Sequence, residues 1–217
     1  MSSINPHFTF HYSQPEDYRF SHDSVFMARM VYELLSEIDL SKWNVLDLGA
    51  GCGIIGLDFL FHLRAAGKLL PAATDFLDVQ SLYAEHFALN SREIPEANVR
   101  FFNENYSVLA ESGRKYDLIL CNPPYFRKGQ GGMSPSEFNN RCRFFLDSDF
   151  PTLLNSIVAA LKPEGCAFVL MRSLQDHEVN VLRESEEILG PQASLTPVGH
   201  IRGTDFIKIH KSKNKVR

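Results

Sequence analysis

A short apolar run that breaks into four closely spaced glycines limits this chain more than any other feature. "VLDLGAGCGIIG" (45–56) places Gly49, Gly51, Gly53 and Gly56 just after a run that reads as a buried strand over 44–49. The same glycines open a run that reads as a helix over 53–67, closed by Gly67. Glycine allows a backbone to turn this tightly and to approach a ligand closely. Strand, glycine turn and helix in that order form the first unit of a parallel sheet with crossover helices. The alternation continues downstream, with strands at 69–75, 98–105, 116–122 and 164–172 and helices at 78–91, about 149–161 and about 175–189. Upstream, Ser21 and Asp23 are good N-caps for a helix whose apolar residues Val25, Phe26, Met30, Leu34 and Leu35 follow helical spacing. Phe8, Phe10 and Tyr12 fall two apart, so 1–20 reads as a short strand or an extended arm packed on the domain. The stretch "ASLTPVGHIRGTDFIKIH" (193–210) reads as a hairpin turning near Arg202-Gly203, which adds an antiparallel edge. The expectation is an α/β fold with a mostly parallel, seven-stranded twisted sheet and helices on both faces.

Composition narrows the function classes. With 217 residues, 44% hydrophobic and 22% charged, the chain suits one ordinary domain, 1–217, with a real core. A net charge of -4 gives no global positive field, so any nucleic-acid contact must come from local patches. Cys52, Cys121, Cys142 and Cys166 lie far apart without a Cys-x-x-Cys pair and read as reduced thiols of a cytoplasmic protein. None of the eight histidines pairs at metal-ligand spacing, so no metal is expected. No apolar run approaches membrane-spanning length, and no signal peptide is visible. A monomer is expected.

The glycine loop admits two ligands. Gly51-x-Gly53-x-x-Gly56 matches the dinucleotide fingerprint, in which a helix N-terminus receives a pyrophosphate. The longer pattern from Asp47 to Gly53, Asp-x-Gly-x-Gly-x-Gly, resembles motif I of the class I methyltransferases, which bind S-adenosylmethionine. Asp47 discriminates, because an acid at the strand end would repel a pyrophosphate and suit a cationic methionine amine. A purely structural turn is the third reading. Asp75, at the expected end of the second strand, is assigned to the ribose hydroxyls, while Asp78 is read as the cap of the following helix. Phe76 is a candidate for packing on the adenine, against the alternative that it is core. The resemblance implies a residue facing the adenine amine at the end of the third strand. Asn105, beside Glu104, stands there, and its side-chain oxygen can accept from that amine.

The fourth strand ends in Asn122-Pro123-Pro124-Tyr125, which suits the activation of a planar amine. The lone pair of such an amine is delocalised into the ring. The Asn122 side-chain oxygen and the Pro123 carbonyl can each accept one amine hydrogen, drawing the nitrogen towards tetrahedral geometry and stabilising the positive charge that develops on attack. The prolines fix the carbonyl direction in advance. Tyr125 offers a ring for a base to stack on, an interaction worth about 1–3 kcal/mol. Cys121 is read as core.

This tetrapeptide, on the fourth strand after a motif-I loop, resembles the N6-adenine and N5-glutamine methyltransferases. It names the reaction and leaves the substrate open. "NPHFTFHYSQPEDYRFSHDSVFMARM" (5–30) resembles the opening of the bacterial enzymes that N6-methylate the adenine beside the anticodon of valine tRNA. Phe8, Phe10, Tyr18 and Phe20 match its aromatic part, and Ser21-His22-Asp23 its turn and acid. That resemblance implies a cap of residues 1–40 over the cofactor pocket, lined by Asp23, which is otherwise a helix N-cap. Only about 43 residues precede the first strand, fewer than the helical domain of release-factor methyltransferases requires. The fold implied is Rossmann-like. Phe126, Arg127, Lys128, Arg141 and Arg143 lie in a substrate-side loop, 126–147, suited to clamp a flipped nucleotide, with Asn139, Asn140, Phe144 and Phe145 as further contacts. Lys208 leads into a basic tail over 211–217, with Lys211, Lys213, Lys215 and Arg217, read either as a phosphate contact or as a solvated tail. The leading expectation is an S-adenosylmethionine-dependent N6-adenine methyltransferase acting on structured RNA, most of all tRNA. The same chemistry on ribosomal RNA, DNA or a protein glutamine is the alternative. A nicotinamide-dependent oxidoreductase and an inactive cofactor-binding module are the rivals from other classes.

Overall fold

The run Tyr116–Cys121 (β4) is apolar at nearly every position because both of its faces are covered. Successive strand residues point to opposite faces, so Leu118 and Leu120 enter one core layer while Ile119 and Cys121 enter the other. The computed structural model describes residues 9–16, 20–127, 129–173 and 180–212. Its other strands are β1 (Asn44–Leu48), β2 (Ala73–Asp78), β3 (Val99–Asn103), β5 (Leu161–Met171), β6 (Ala193–Ile201) and β7 (Thr204–Lys211). The helices are α1 (His22–Leu35), α2 (Ile54–Ala65), α3 (Tyr83–Asn90), α4 (Glu137–Arg143), α5 (Phe150–Ala160) and α6 (Val181–Leu189).

The strands form one seven-stranded sheet in the order β3-β2-β1-β4-β5-β7-β6. The first five are parallel, while β7 pairs antiparallel with both β5 and β6. Met27, Val31, Phe59 and Leu63 of α1 and α2 fill the layer on one face. Leu153, Ile157, Val181 and Leu189 of α5 and α6 fill the other. The β6–β7 hairpin turns at Arg202 and Gly203, both with positive φ (49° and 81°), as the two-residue turn that matches strand twist requires. The order reverses between β1 and β4, and at such a switch point the crevice beyond the strand ends takes ligands.

Several boundaries differ from the sequence expectation, most of all around β2 and in the loop after β4. The second strand is Ala73–Asp78, not 69–75. Leu69 looked like strand but is 71% exposed, and Pro71 has no amide to donate to a ladder. Its helix correspondingly begins at Tyr83, not at 78. The region expected as continuous loop contains α4, whose N-cap Ser136 accepts a hydrogen bond from the Asn139 amide. Of the two readings of the N-terminal stretch, residues 9–16 follow the arm. Phe8, Tyr18, Lys128, the start of the helix expected from 175 and the tail residues Lys213, Lys215 and Arg217 lie outside the described residues.

Candidate active site

The ends of β1, β2, β3 and β4 open on one cleft. Gly49, Ala50, Gly51 and Cys52 form its floor, with Ile54 and Ile55 at the start of α2. Gly53 caps α2 at φ 84°, and a Cβ there would lie 2.8 Å from the Phe87 ring, so side chains are excluded on two grounds. Asp78 ends β2 at the cleft wall. Its two carboxylate oxygens accept from the Gly51 amide at 2.9 Å and the Gln80 amide at 2.9 Å. Burial, with Asp147 nearby, pushes its pKa up to about 6 against the pull of those amide bonds. Glu104, Asn105 and Tyr106 line the cleft beyond β3, and Asn122 and Pro124 line it beyond β4.

Two segments close the cleft from above. The arm contributes Gln14 and Pro15, and the start of α1 contributes Phe20, Ser21 and Ser24. The hydroxyls of Thr9 and Tyr12 both donate to Asp58, which is fully buried in α2. Asn90 accepts from the Ser13 amide at 2.6 Å and donates to the Ser13 and Cys52 carbonyls, tying the arm to the glycine loop. The second segment, 141–148, comes from the loop expected to face substrate. The Phe145 amide donates to Phe126 at 2.9 Å, the Asn105 side chain to the Asp147 carbonyl at 2.9 Å, and the Tyr83 hydroxyl lies 3.1 Å from the Cys142 sulfur.

The site residues read from the sequence separate into two groups. Gly49, Gly51, Asn105, Asn122 and Pro124 meet at the cleft, together with Arg141. Asp47, Gly53, Asp75, Phe76 and Asp23 do not line it. Asp47 shares strand parity with Val45 and so points beneath α2, where its Oδ2 accepts from the Gly56 amide at 2.8 Å. Its Oδ1 has no hydrogen-bond partner among the described residues, and burial pushes its pKa up to about 7. Phe76 is core, packed against Phe87 and beneath Gly56, where an added Cβ would come within 2.5 Å of its ring. Asp75 lies mid-strand, holding Arg100 at 2.8 Å and accepting from the Tyr116 hydroxyl at 2.8 Å. Asp78 takes the strand-end place expected of Asp75. Asp23 sits in the first turn of α1, with Arg202 at 3.7 Å, near enough for charge attraction and too far for a hydrogen bond.

The Asn122 amide is held at both ends. Its nitrogen donates to Ser24 Oγ at 3.3 Å, and its oxygen accepts from the Tyr125 hydroxyl at 2.5 Å. Pro123, Pro124, Tyr125 and Arg127 line a smaller hollow on the far side of the tetrapeptide. Arg127 is paired with Glu184, and Arg141 with Glu137 and Asp147. The Arg143 guanidinium lies over the Phe126 and Phe144 rings. Phe144, expected as a nucleotide contact, is 1% exposed and packed. Residues that the sequence reading passed over are Ser24, Gln80, Tyr83 and Leu146, all at the cleft. Only an accurate end for β2 would have pointed to Gln80 and Tyr83, and nothing local marks Ser24.

A family model described as methyltransferase small domain matches residues 19–144, from the start of α1 through the glycine loop and Asn122 to the end of α4. The chain belongs to this family. It is therefore a methyltransferase, and S-adenosylmethionine is its cofactor. The tRNA1(Val) (adenine(37)-N6)-methyltransferase of Shewanella sediminis is 29% identical over 179 residues, covering 78% of this chain and 69% of that protein. The protein of the same name from Shewanella halifaxensis is 31% identical over 133 residues, covering 59% of this chain and 50% of that one. Among solved structures, the Thermus thermophilus 16S rRNA N2 methyltransferase RsmC, in complex with AdoMet and guanosine, superposes with a TM-score of 0.62 at 15% identity. That match covers 91% of this chain and 45% of RsmC. The cleft fits the cofactor. Each Asp78 oxygen keeps a lone pair for a ribose hydroxyl, and Ile54, Ile55 and Leu77 supply apolar walls. Among the described residues no three His, Cys, Asp or Glu side chains group to hold a metal, and no helix is long and apolar enough to cross a membrane.

Proposed function

We propose that this chain methylates the exocyclic N6 amine of an adenine in tRNA, the adenine beside the anticodon of valine tRNA being the first candidate. The observation that carries the reading is the position of Asn122. Asn122 directly follows β4 and lines the cleft that Asp78 and the glycine loop also line, with its amide oxygen accepting from the Tyr125 hydroxyl. The curated relatives named above act on that adenine, which supports the choice of substrate. S-adenosylmethionine supplies a methyl group already activated on sulfur, so the chain must only hold and align the amine. Asn122 Oδ1 and the Pro123 carbonyl accept the two amine hydrogens and favour the charge that builds on nitrogen. Asp78 binds the ribose hydroxyls. Glu104 and Asn105 border the adenine of the cofactor, with Asn105 Oδ1 already accepting from the Ser107 amide at 2.9 Å. The Tyr125 ring stacks on the target base once its hydroxyl yields Asn122 Oδ1 to the incoming amine. Residues 1–40 act as the cap, and the protein works as a cytoplasmic monomer without a metal.

The test uses purified protein, isotope-labelled S-adenosylmethionine and, in separate reactions, unmodified valine tRNA, ribosomal RNA, DNA and release factor, with products identified by mass spectrometry. Labelled N6-methyladenosine in the anticodon loop is expected. Label only in ribosomal RNA, DNA or glutamine would replace the substrate. Asn122→Ala should cut turnover by about a hundred- to a thousandfold, the scale of a lost charge-stabilising contact, with cofactor Kd nearly unchanged. An active Asn122→Ala variant would overturn the mechanism.

A further inference from the structure

We infer that Ser24 is a positioning residue that fixes which end of the Asn122 amide faces the substrate. The inference deepens the proposed function and rests on it. Asn122 has the strand parity of Leu118 and Leu120, so its side chain emerges on the face covered by α1 and α2. There it meets Ser24, on the first turn of α1, 98 residues away in sequence, and donates Nδ2–H to Ser24 Oγ at 3.3 Å. Ser24 is 7% exposed, in a helix whose neighbouring buried positions, Val25, Met27 and Ala28, are apolar. A hydroxyl buried there requires a polar partner, and Asn122 provides it.

The chemistry makes the orientation matter. An asparagine amide carries one acceptor and one donor of almost the same shape. Only the oxygen can receive a hydrogen from a substrate amine. With the nitrogen presented instead, two N–H groups would oppose each other and the site would repel its substrate. Ser24 occupies the nitrogen, so the oxygen is left to the Tyr125 hydroxyl, which an incoming amine would displace. The cap helix thus contributes to alignment of the amine as well as to covering the cofactor.

The experiment exploits a difference between amide and carboxylate. The carboxylate introduced by Asn122→Asp has two equivalent acceptor oxygens, so it needs no orienting. Single-turnover methylation of unmodified valine tRNA is measured for Ser24→Ala, Ser24→Thr, Asn122→Asp and the Ser24→Ala/Asn122→Asp double variant, with cofactor Kd by calorimetry. Ser24→Ala should slow methyl transfer about tenfold, the effect of losing one buried hydrogen bond in the transition state, with cofactor Kd unchanged. Ser24→Thr, which keeps the hydroxyl, should recover most of the rate. In the Asn122→Asp background the same Ser24→Ala change should cost less than about twofold, a non-additivity that direct coupling requires. An equal penalty in both backgrounds would assign Ser24 a packing role only, and so would a loss confined to cofactor Kd; either overturns the inference. An inactive Asn122→Ala with a fully active Ser24→Ala would overturn this inference while sparing the proposed function. An active Asn122→Ala would remove both.

Discussion

Two aspartates three residues apart illustrate how a single side chain is assigned its work. Asp75 and Asp78 both lie on β2, but only Asp78 ends it at the cleft. Asp78→Asn should weaken S-adenosylmethionine binding by about tenfold, the scale of one charge-assisted hydrogen bond. Asp75→Asn should leave that affinity within about twofold and lower stability by about 1–3 kcal/mol, because it breaks a buried contact to Arg100 and Tyr116. Calorimetry and urea unfolding on the two variants separate these outcomes. Tyr125 divides similarly. Tyr125→Phe removes the hydroxyl that caps Asn122 and keeps the ring, so kcat should hold within about threefold, whereas Tyr125→Ala should raise the KM for tRNA by about tenfold if the base stacks there. Asn122, Gly49 and Gly51 lie at the cleft where the local pattern led them to be expected. Asp47 does not. Its distance from the glycines looked right, but strand parity turned it under α2, and parity depends on where the strand is anchored in the sheet.

At the level of elements, the alternation of strands and helices was legible because both core layers write it into the sequence. The apolar runs at β1 and β4 are buried on both faces and have no competing interpretation. The misplaced β2 shows the limit of that signal, since hydrophobicity does not say which leucines are buried. The helix α4 was missed for another reason. "EFNNRCR" has no apolar stripe, and the helix is held by its Ser136 cap and by Phe138 and Cys142 packing near Tyr83. The arm is also a tertiary product. One of its anchors is a buried carboxylate, so Asp58→Ala should loosen residues 9–16, speed their amide exchange and weaken cofactor binding by up to about tenfold through loss of two hydroxyl bonds, with the Asn90–Ser13 bonds remaining. Unchanged exchange over 9–16 in that variant would show that other contacts hold the arm.

For the molecule as a whole, two buried aspartates, Asp78 at the cleft and Asp47 beneath α2, impose a pH dependence on folding. Asp47 at about 7 and Asp78 at about 6 both stand above the ordinary 3.8, chiefly through burial. The folded chain therefore keeps protons that the unfolded chain has released. The stability this confers is fully present below pH 3.8 and is lost as pH rises through 6 and 7. Urea unfolding from pH 5 to 8 should show a falling unfolding free energy, and Asp47→Asn should flatten the upper part of that fall. The sheet has a second molecule-wide consequence. Because β4 alternates between two layers, inserting one residue before Asn122 would leave every strand, helix and cofactor contact available, yet send the amide into the layer beneath α5. If Asn122 aligns the amine as proposed, such a variant should still fold and bind its cofactor while methyl transfer is lost, which single-turnover assay and calorimetry would check. On that proposal the placement of the amide depends on a whole-residue count along one strand, so a deletion or insertion there acts as a change of face and not as a graded shift.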